Sequence, residues 1–352
     1  MNAQAGQPPQ QPPDPGEDGR RLEAGPSASR TVLSIRQRSC GGPIWRIETG
    51  LVGVGRAAWC PDRAALRQDR RDRTPAMIEG QAPLATVVDL EHALERVRRV
   101  RLPEWVVMAP HEDAFVPGVD ERRRVEIAAM MRRLVRAGIG VALTTRGELR
   151  DADALLAVVR EAPEAFSIRV GVFALDARLD EPRGVAASRQ GVEAKWEAGL
   201  APSIRRLALA RALKELGARV EVEIGPIVPF ANDDPKTLKD LVRAVSRAGI
   251  DTIAPRWIED APGLERQIEV EVTPSTARLV TGWFRQPGSS VGSATRRIIP
   301  LAVRKTRLGA IEEAAQGLRM KIATCACLQA GACVACHPGA AVRSSAQLSL
   351  FG

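Results

Sequence analysis

The sequence predicts an α/β protein with a partial (β/α) barrel of parallel strands and a C-terminal cysteine-rich extension. From about residue 84 onward, short β-rich runs alternate with amphipathic segments. Such alternation is typical of parallel strands joined by right-handed helical crossovers. The pattern supplies about five strand–helix units, fewer than the eight that close a barrel. A doubly wound sheet fits equally well, and in both folds ligands bind at the carboxyl ends of the strands.

The individual elements follow from local patterns. Strands are predicted at 105–108, 139–143, 168–173, 220–224 and 250–254, and helices at 121–138, 151–160, 205–217, 236–249 and 308–321. Gly138 and Gly217 stand where two of these helices should end, and Asp234 with Pro235 supplies an N-cap and a first helical residue. In the strand at 220–224, Glu221 and Glu223 alternate with apolar residues.

Composition divides the chain into five parts. Residues 1–30 are rich in Pro, Gln, Gly and Ser, which is typical of a disordered tail. The barrel is expected over 31–265 and a C-terminal extension over 266–321. A cysteine-rich segment follows at 322–340, and a flexible tail is expected at 341–352.

The bulk composition excludes some functions and leaves others open. The chain of 352 residues has no Tyr, so no mechanism can use a tyrosyl relay. No apolar run is long enough to span a bilayer and the N-terminus does not resemble a secretory signal, so we expect a cytoplasmic protein without a membrane partner. The net charge of +9 fits either an Arg-rich proteome or a polyanionic partner, most plausibly DNA.

Four cysteines near the C-terminus have the spacing C-x-C-x5-C-x2-C: Cys325, Cys327, Cys333 and Cys336. Four thiolates within twelve residues can converge on one zinc ion or one iron–sulfur cluster. A metal at this segment is therefore predicted, and a structural staple is the favoured role. The alternative is a set of small buried cysteines in an Ala-rich tail.

The last residues of the sequence resemble the bacterial sliding-clamp-binding peptide, Q-L-S/D-L-F. The matching residues are Gln347, Leu348, Ser349, Leu350 and Phe351. A polar leader before them would present two leucines and a phenylalanine to an apolar groove. The alternative is a terminal strand that packs on its own domain.

Several segments in order along residues 31–260 resemble the spore photoproduct lyase-like branch of the radical S-adenosylmethionine superfamily. Pro226–Asp233 is similar to the family's P-V-I-P-G-x-N-D, and Arg206–Gly217 to the helix that precedes it. Thr144–Gly147 is similar to the family's T-K-G, and Glu112–Pro117 to its D-P-Y-Q-P. The resemblance implies a partial barrel and radical repair of damaged DNA bases. It also places Cys60, Thr144, Thr145 and Asn232 at the cofactor site.

The sequence departs from this family at the cluster motif. Family members bind a four-iron cluster through C-x3-C-x2-C after the first strand, and its open iron chelates S-adenosylmethionine. The corresponding positions here are Gly53, Ala57 and Cys60, so one thiolate stands where three are needed. A standard radical cluster is not expected, and S-adenosylmethionine binding is in question. Three hypotheses remain open: a DNA-associated member recruited by the C-terminal peptide, a non-catalytic adaptor with a zinc-stapled tail, and an enzyme that uses an atypical iron–sulfur cluster.

Overall fold

The structure is a computed structural model that describes residues 33–37, 43–47, 56–59, 86–98, 102–108, 113–175, 191–291, 297–323 and 342–344. The strands are β1 Leu33–Gln37, β2 Pro43–Ile47, β3 Arg56–Ala57, β4 Trp105–Met108, β5 Gly140–Thr145, β6 Phe166–Val172, β7 Glu197–Ala198, β8 Arg219–Ile227, β9 Thr252–Trp257, β10 Ser290–Val291, β11 Arg297–Ile298, β12 Lys321–Ala323 and β13 Val342–Ser344. The helices are α1 Val87–Arg98, α2 Glu121–Arg136, α3 Asp153–Glu161, α4 Val192–Trp196, α5 Ser203–Glu215, α6 Pro235–Arg247, α7 Leu264–Glu271, α8 Pro274–Gly282 and α9 Leu301–Gly317. Short 3-10 turns occupy Leu149–Asp151, Pro163–Ala165 and Trp283–Arg285.

One large sheet organises the described part of the chain, with the strand order β1-β2-β4-β5-β6-β8-β9-β12-β13. The strands from β2 to β12 in this order run parallel, and β1 and β13 add an antiparallel strand at each edge. Within the described residues the two edge strands do not pair, so the sheet stays open. The expected partial (β/α) barrel is therefore confirmed.

The local signals that predicted the helices act as expected. The Asp234 side chain accepts a hydrogen bond from the Thr237 backbone N–H at 3.0 Å, and Pro235 is the first residue of α6. The left-handed φ of +76° at Gly138 follows the end of α2, where a side chain would be strained. The Asp120 carboxylate caps the other end of α2 by accepting from the Arg122 N–H.

The helix predicted at 308–321 begins earlier, at Leu301, and ends at Gly317. Its first turns carry Arg304, Lys305 and Arg307, which interrupt the apolar periodicity that would have predicted a helix there. Arg304 is nevertheless buried. Its Nε donates to the Ile299 carbonyl oxygen at 2.9 Å, which compensates in part for the loss of water.

Residues beyond 265 add to the same sheet and core. Strand β12 runs parallel to β9, with Lys321 opposite Thr252. Helix α9 packs against α6, and Lys239 forms an ion pair with Glu313 at 2.7 Å. In the part of the chain that the structure describes, no helix has the length and apolar character to cross a bilayer.

Candidate functional site

Charged side chains share one face of the central sheet. Parallel pairing places Thr144 beside Arg169 and Arg169 beside Glu221, and it places Gly171 beside Glu223. Since residues two apart on a strand point to the same face, these side chains form two successive layers. Arg169 Nη2 lies 2.8 Å from a Glu221 carboxylate oxygen, and both side chains are buried. Charged side chains therefore line the inner face of the sheet at these positions, where apolar side chains usually fill the interior of a barrel.

Arg146, the residue after β5, lies at the centre of these charged side chains and is 6% exposed. Its Nη2 lies 3.0 Å from the Glu223 carboxylate and donates to the Gly225 carbonyl oxygen at 2.8 Å, while its Nε lies 3.2 Å from Glu197. A Cβ at Gly171 would lie 2.0 Å from Arg146 Nη1, so glycine there makes room for the guanidinium group. Among the residues that the structure describes, none accepts a hydrogen bond from Nη1.

A second buried arginine, Arg206, joins the other carboxylates. Its Nη2 lies 2.6 Å from Glu197 and 3.7 Å from Glu193, and its Nη1 donates to the Gly171 carbonyl oxygen at 3.1 Å. The backbone N–H and hydroxyl of Ser203 both donate to Glu193. We call this group the interior cluster; its members are Arg146, Arg169, Arg206, Glu193, Glu197, Glu221 and Glu223.

The environment shifts the titration of several groups in the interior cluster. Burial raises the pKa of Glu193 to about 7, against the opposing effect of the Arg206 charge. Burial would also raise the pKa of Glu223, but neighbouring guanidinium groups, first that of Arg256 and then that of Arg146, outweigh it and lower the pKa. Burial lowers the pKa of Arg146. Because each charge faces an opposite charge, the interior can remain ionic without a bound ligand.

The segment that follows the first parallel strand lies against the interior cluster. Arg56–Ala57 pairs antiparallel with Glu197–Ala198, and the side-chain amide of Gln267 donates to the carbonyl oxygens of Ala57 and Ala58 at 3.3 and 2.9 Å. The Trp59 indole N–H donates to Glu197 at 3.1 Å, and the centroid of the indole ring lies 4.4 Å from the Arg146 guanidinium carbon. This cation–π contact places an aromatic ring over the central arginine.

This segment does not fit a cluster held by three thiolates. Ala57 occupies the second of the three expected cysteine positions, is buried and has no ligand atom. Gly53 and Cys60 lie outside the described residues, and so do the other five cysteines. Within the described ranges, no group of three His, Cys, Asp or Glu side chains is arranged to hold a metal ion.

The structure places the other predicted cofactor residues at the carboxyl edge of the sheet. Thr145 is buried and its hydroxyl donates to Asp113 at 2.9 Å, while Thr144 is half-buried. The Asn232 side chain is fully buried; its amide nitrogen donates to the carbonyl oxygens of Phe173 and Pro226, and its oxygen accepts from the Val228 N–H at 2.7 Å. These contacts hold the loop after β8, and a cofactor role for the three residues stays a prediction.

Most of the interior cluster could not be predicted from the sequence. Alternation in β8 pointed to Glu221 and Glu223, and Arg146 lies in a segment that the resemblance singled out. Nothing in the sequence linked them to Glu197 or Trp59. The peptide Gln347–Phe351 and the four C-terminal cysteines lie outside the described residues.

Comparisons with known proteins support a fold and no closer relationship. No protein-family model matches the chain, and no curated protein matches it. Two solved variants of spore photoproduct lyase, each with one substituted residue, match with a TM-score of 0.53 and 14% identity. Each match covers 78% of this chain and 74% of that chain. The chain therefore has a spore photoproduct lyase-like fold, as the resemblance implied.

Proposed function

We propose that this chain, with its spore photoproduct lyase-like fold, is a DNA-associated protein that does not generate a radical at the loop after its first parallel strand. It would be recruited to replication or repair sites by a C-terminal peptide that binds the sliding clamp. The fold would serve as a scaffold that presents DNA-contacting residues.

The observation that carries this proposal is the arrangement of Ala57 and Trp59. A radical cluster needs three thiolates and one open iron. Ala57 supplies no ligand atom, and Trp59 lies over Arg146 and donates to Glu197. Buried charged groups and an indole ring, not ligand atoms, therefore lie beside this segment.

The DNA partner is supported by fold and charge together. Spore photoproduct lyase is a solved protein whose fold is similar to that of this chain, and the chain has 51 Lys and Arg residues against 42 Asp and Glu residues. Contacts between Arg and phosphate release counterions, so the affinity should fall steeply with salt. We expect fluorescence anisotropy with labelled DNA to show a dissociation constant that rises at least tenfold between about 50 and 200 mM salt. Affinity that does not respond to salt would contradict the DNA proposal.

Recruitment by the clamp is tested separately. The peptide Gln347–Phe351 should bind alone with a dissociation constant on the order of micromolar, because so short an interface buries little area. In a pull-down with purified clamp, replacing Leu350 and Phe351 with Ala should abolish capture, whereas Ser344→Ala, outside the peptide, should not. Equal capture of both variants would remove the recruitment proposal.

The C-terminal cysteines would hold a structural metal, either zinc or an iron–sulfur cluster, and a non-catalytic scaffold predicts zinc. Their spacing supports four thiolate ligands, which zinc and a four-iron cluster both accept. Protein purified without oxygen should contain about one zinc per chain, and the variant Cys333→Ser/Cys336→Ser should lose it. Brown protein whose iron and sulfide disappear in this variant would instead support the atypical-cluster enzyme.

A further inference from the structure

The loop after β8 carries an exposed phenylalanine in a strained conformation. Phe230 has a φ of +64°, in the left-handed region that favours glycine, and is 60% exposed. A bulky residue there costs about 1–3 kcal/mol of backbone strain. The family motif that this loop resembles has glycine at the same position, which would carry no such strain.

Neighbouring side chains hold Phe230 in this conformation. Its backbone N–H donates to Asp233 Oδ1 at 2.9 Å, and Asp233 Oδ2 accepts from Arg307 Nε, also at 2.9 Å. The Asn232 side chain fixes the same loop to the ends of β6 and β8. The surroundings therefore determine the loop conformation and keep the aromatic ring at the carboxyl edge of the sheet.

A second aromatic ring lies beside the first. The ring centroids of Phe230 and Trp283 are 6.2 Å apart, with 35° between their planes, and Trp283 is half-buried. Arg285, two residues after Trp283, has a side chain that is 69% exposed and forms an ion pair with Glu265. Arg307, with a side chain that is 30% exposed, adds a cation on the Phe230 side. The site thus combines two aromatic rings with two arginines.

We propose that Phe230 and Trp283 form a stacking platform for an unpaired nucleobase of a DNA strand, with Arg285 and Arg307 near its phosphates. The inference deepens the proposed function and rests on it. Aromatic faces stack on any base, and guanidinium groups contact the backbone, which is the combination that binds single-stranded nucleic acid. The basic chain favours a polyanionic occupant over an apolar peptide.

The test compares binding of the full-length chain to a labelled twelve-residue oligothymidine and to a duplex of equal length, by fluorescence anisotropy. Phe230→Gly should weaken oligothymidine binding about 5- to 150-fold, the range expected for loss of one stacked base. Because glycine accepts the left-handed conformation, the same variant should keep or raise the thermal midpoint. Weaker binding by a chain of unchanged stability separates loss of stacking from misfolding.

Two further variants complete the test. Trp105→Leu changes an exposed aromatic at the amino end of β4, the opposite edge of the sheet, and should leave binding unchanged. Arg285→Gln should weaken binding at low salt and reduce its salt dependence, whereas the effect of Phe230→Gly should persist at high salt. Oligothymidine and duplex affinities that Phe230→Gly does not change would overturn the platform and leave the DNA proposal standing. No binding to either DNA by the unaltered chain would overturn both.

Discussion

Replacement of Arg146 by methionine tests whether the interior cluster is a connected ionic core. The guanidinium group lies between Glu197 and Glu223, each 2% exposed. Removing one partner of a buried ion pair leaves an uncompensated charge and costs about 3–5 kcal/mol. Arg132→Met is the matched control, because Arg132 pairs with Glu161 through three contacts at the exposed surface, where a pair contributes about 0.2–1 kcal/mol.

The assay is urea unfolding followed by far-ultraviolet circular dichroism at pH 8. We expect Arg146→Met to lower the free energy of unfolding by at least about 2 kcal/mol more than Arg132→Met does. Adding Glu223→Gln to Arg146→Met should recover part of the loss, because the two groups interact directly. Equal losses for the two single variants would show that the cluster does not act as described.

Three further outcomes follow from the geometry. Because burial raises the pKa of Glu193 from 4.5 to about 7, its contribution to stability is present below pH 4.5 and lost as the pH rises through 7. The free energy of unfolding of the native chain relative to Glu193→Gln should therefore fall by about 3 kcal/mol between pH 4.5 and pH 8, and a constant difference would contradict the shift. Gly147→Ala places a Cβ 1.8 Å from the Phe115 carbonyl oxygen and should cost about 3 kcal/mol in urea unfolding, whereas Gly309→Ala, with open space around it in α9, should be neutral or stabilising. Asn232→Ala leaves the buried Val228 N–H without its partner and should cost about 1–3 kcal/mol, read from the thermal midpoint; no change would mean that the loop is held otherwise.

Local sequence signals were enough to predict five of the parallel strands of the large sheet and five of the described helices. Apolar periodicity and the N-cap at Asp234 identified helices, because helical hydrogen bonds join residues only four positions apart in the sequence. Helix α9 was placed several residues too late, because Arg304 is polar in the sequence yet buried in the fold. Here a hydrogen bond to a backbone carbonyl five residues earlier satisfies a buried polar side chain that the apolar pattern assigns to the surface.

The interior cluster could not be predicted because its members are far apart in the sequence. Arg146 and Glu223 are 77 residues apart, and Trp59 and Glu197 are 138 apart, so no spacing pattern connects them. The positive φ of Phe230 could not be predicted from the sequence either, because the contacts of the whole loop set this backbone angle. The missing ligands at Gly53 and Ala57 could be recognised in the sequence, because a residue without a thiol cannot supply a thiolate to an iron–sulfur cluster in any conformation.

The central claim is that the loop before Cys60 cannot anchor a radical cluster, and iron analysis with an S-adenosylmethionine cleavage assay tests it directly. The full chain and Cys60→Ala would be reconstituted with iron and sulfide without oxygen, and then reduced in the presence of S-adenosylmethionine. We predict equal iron in both proteins and no 5′-deoxyadenosine from either. A cluster that disappears in Cys60→Ala, together with 5′-deoxyadenosine formed only by the unaltered chain, would contradict the account.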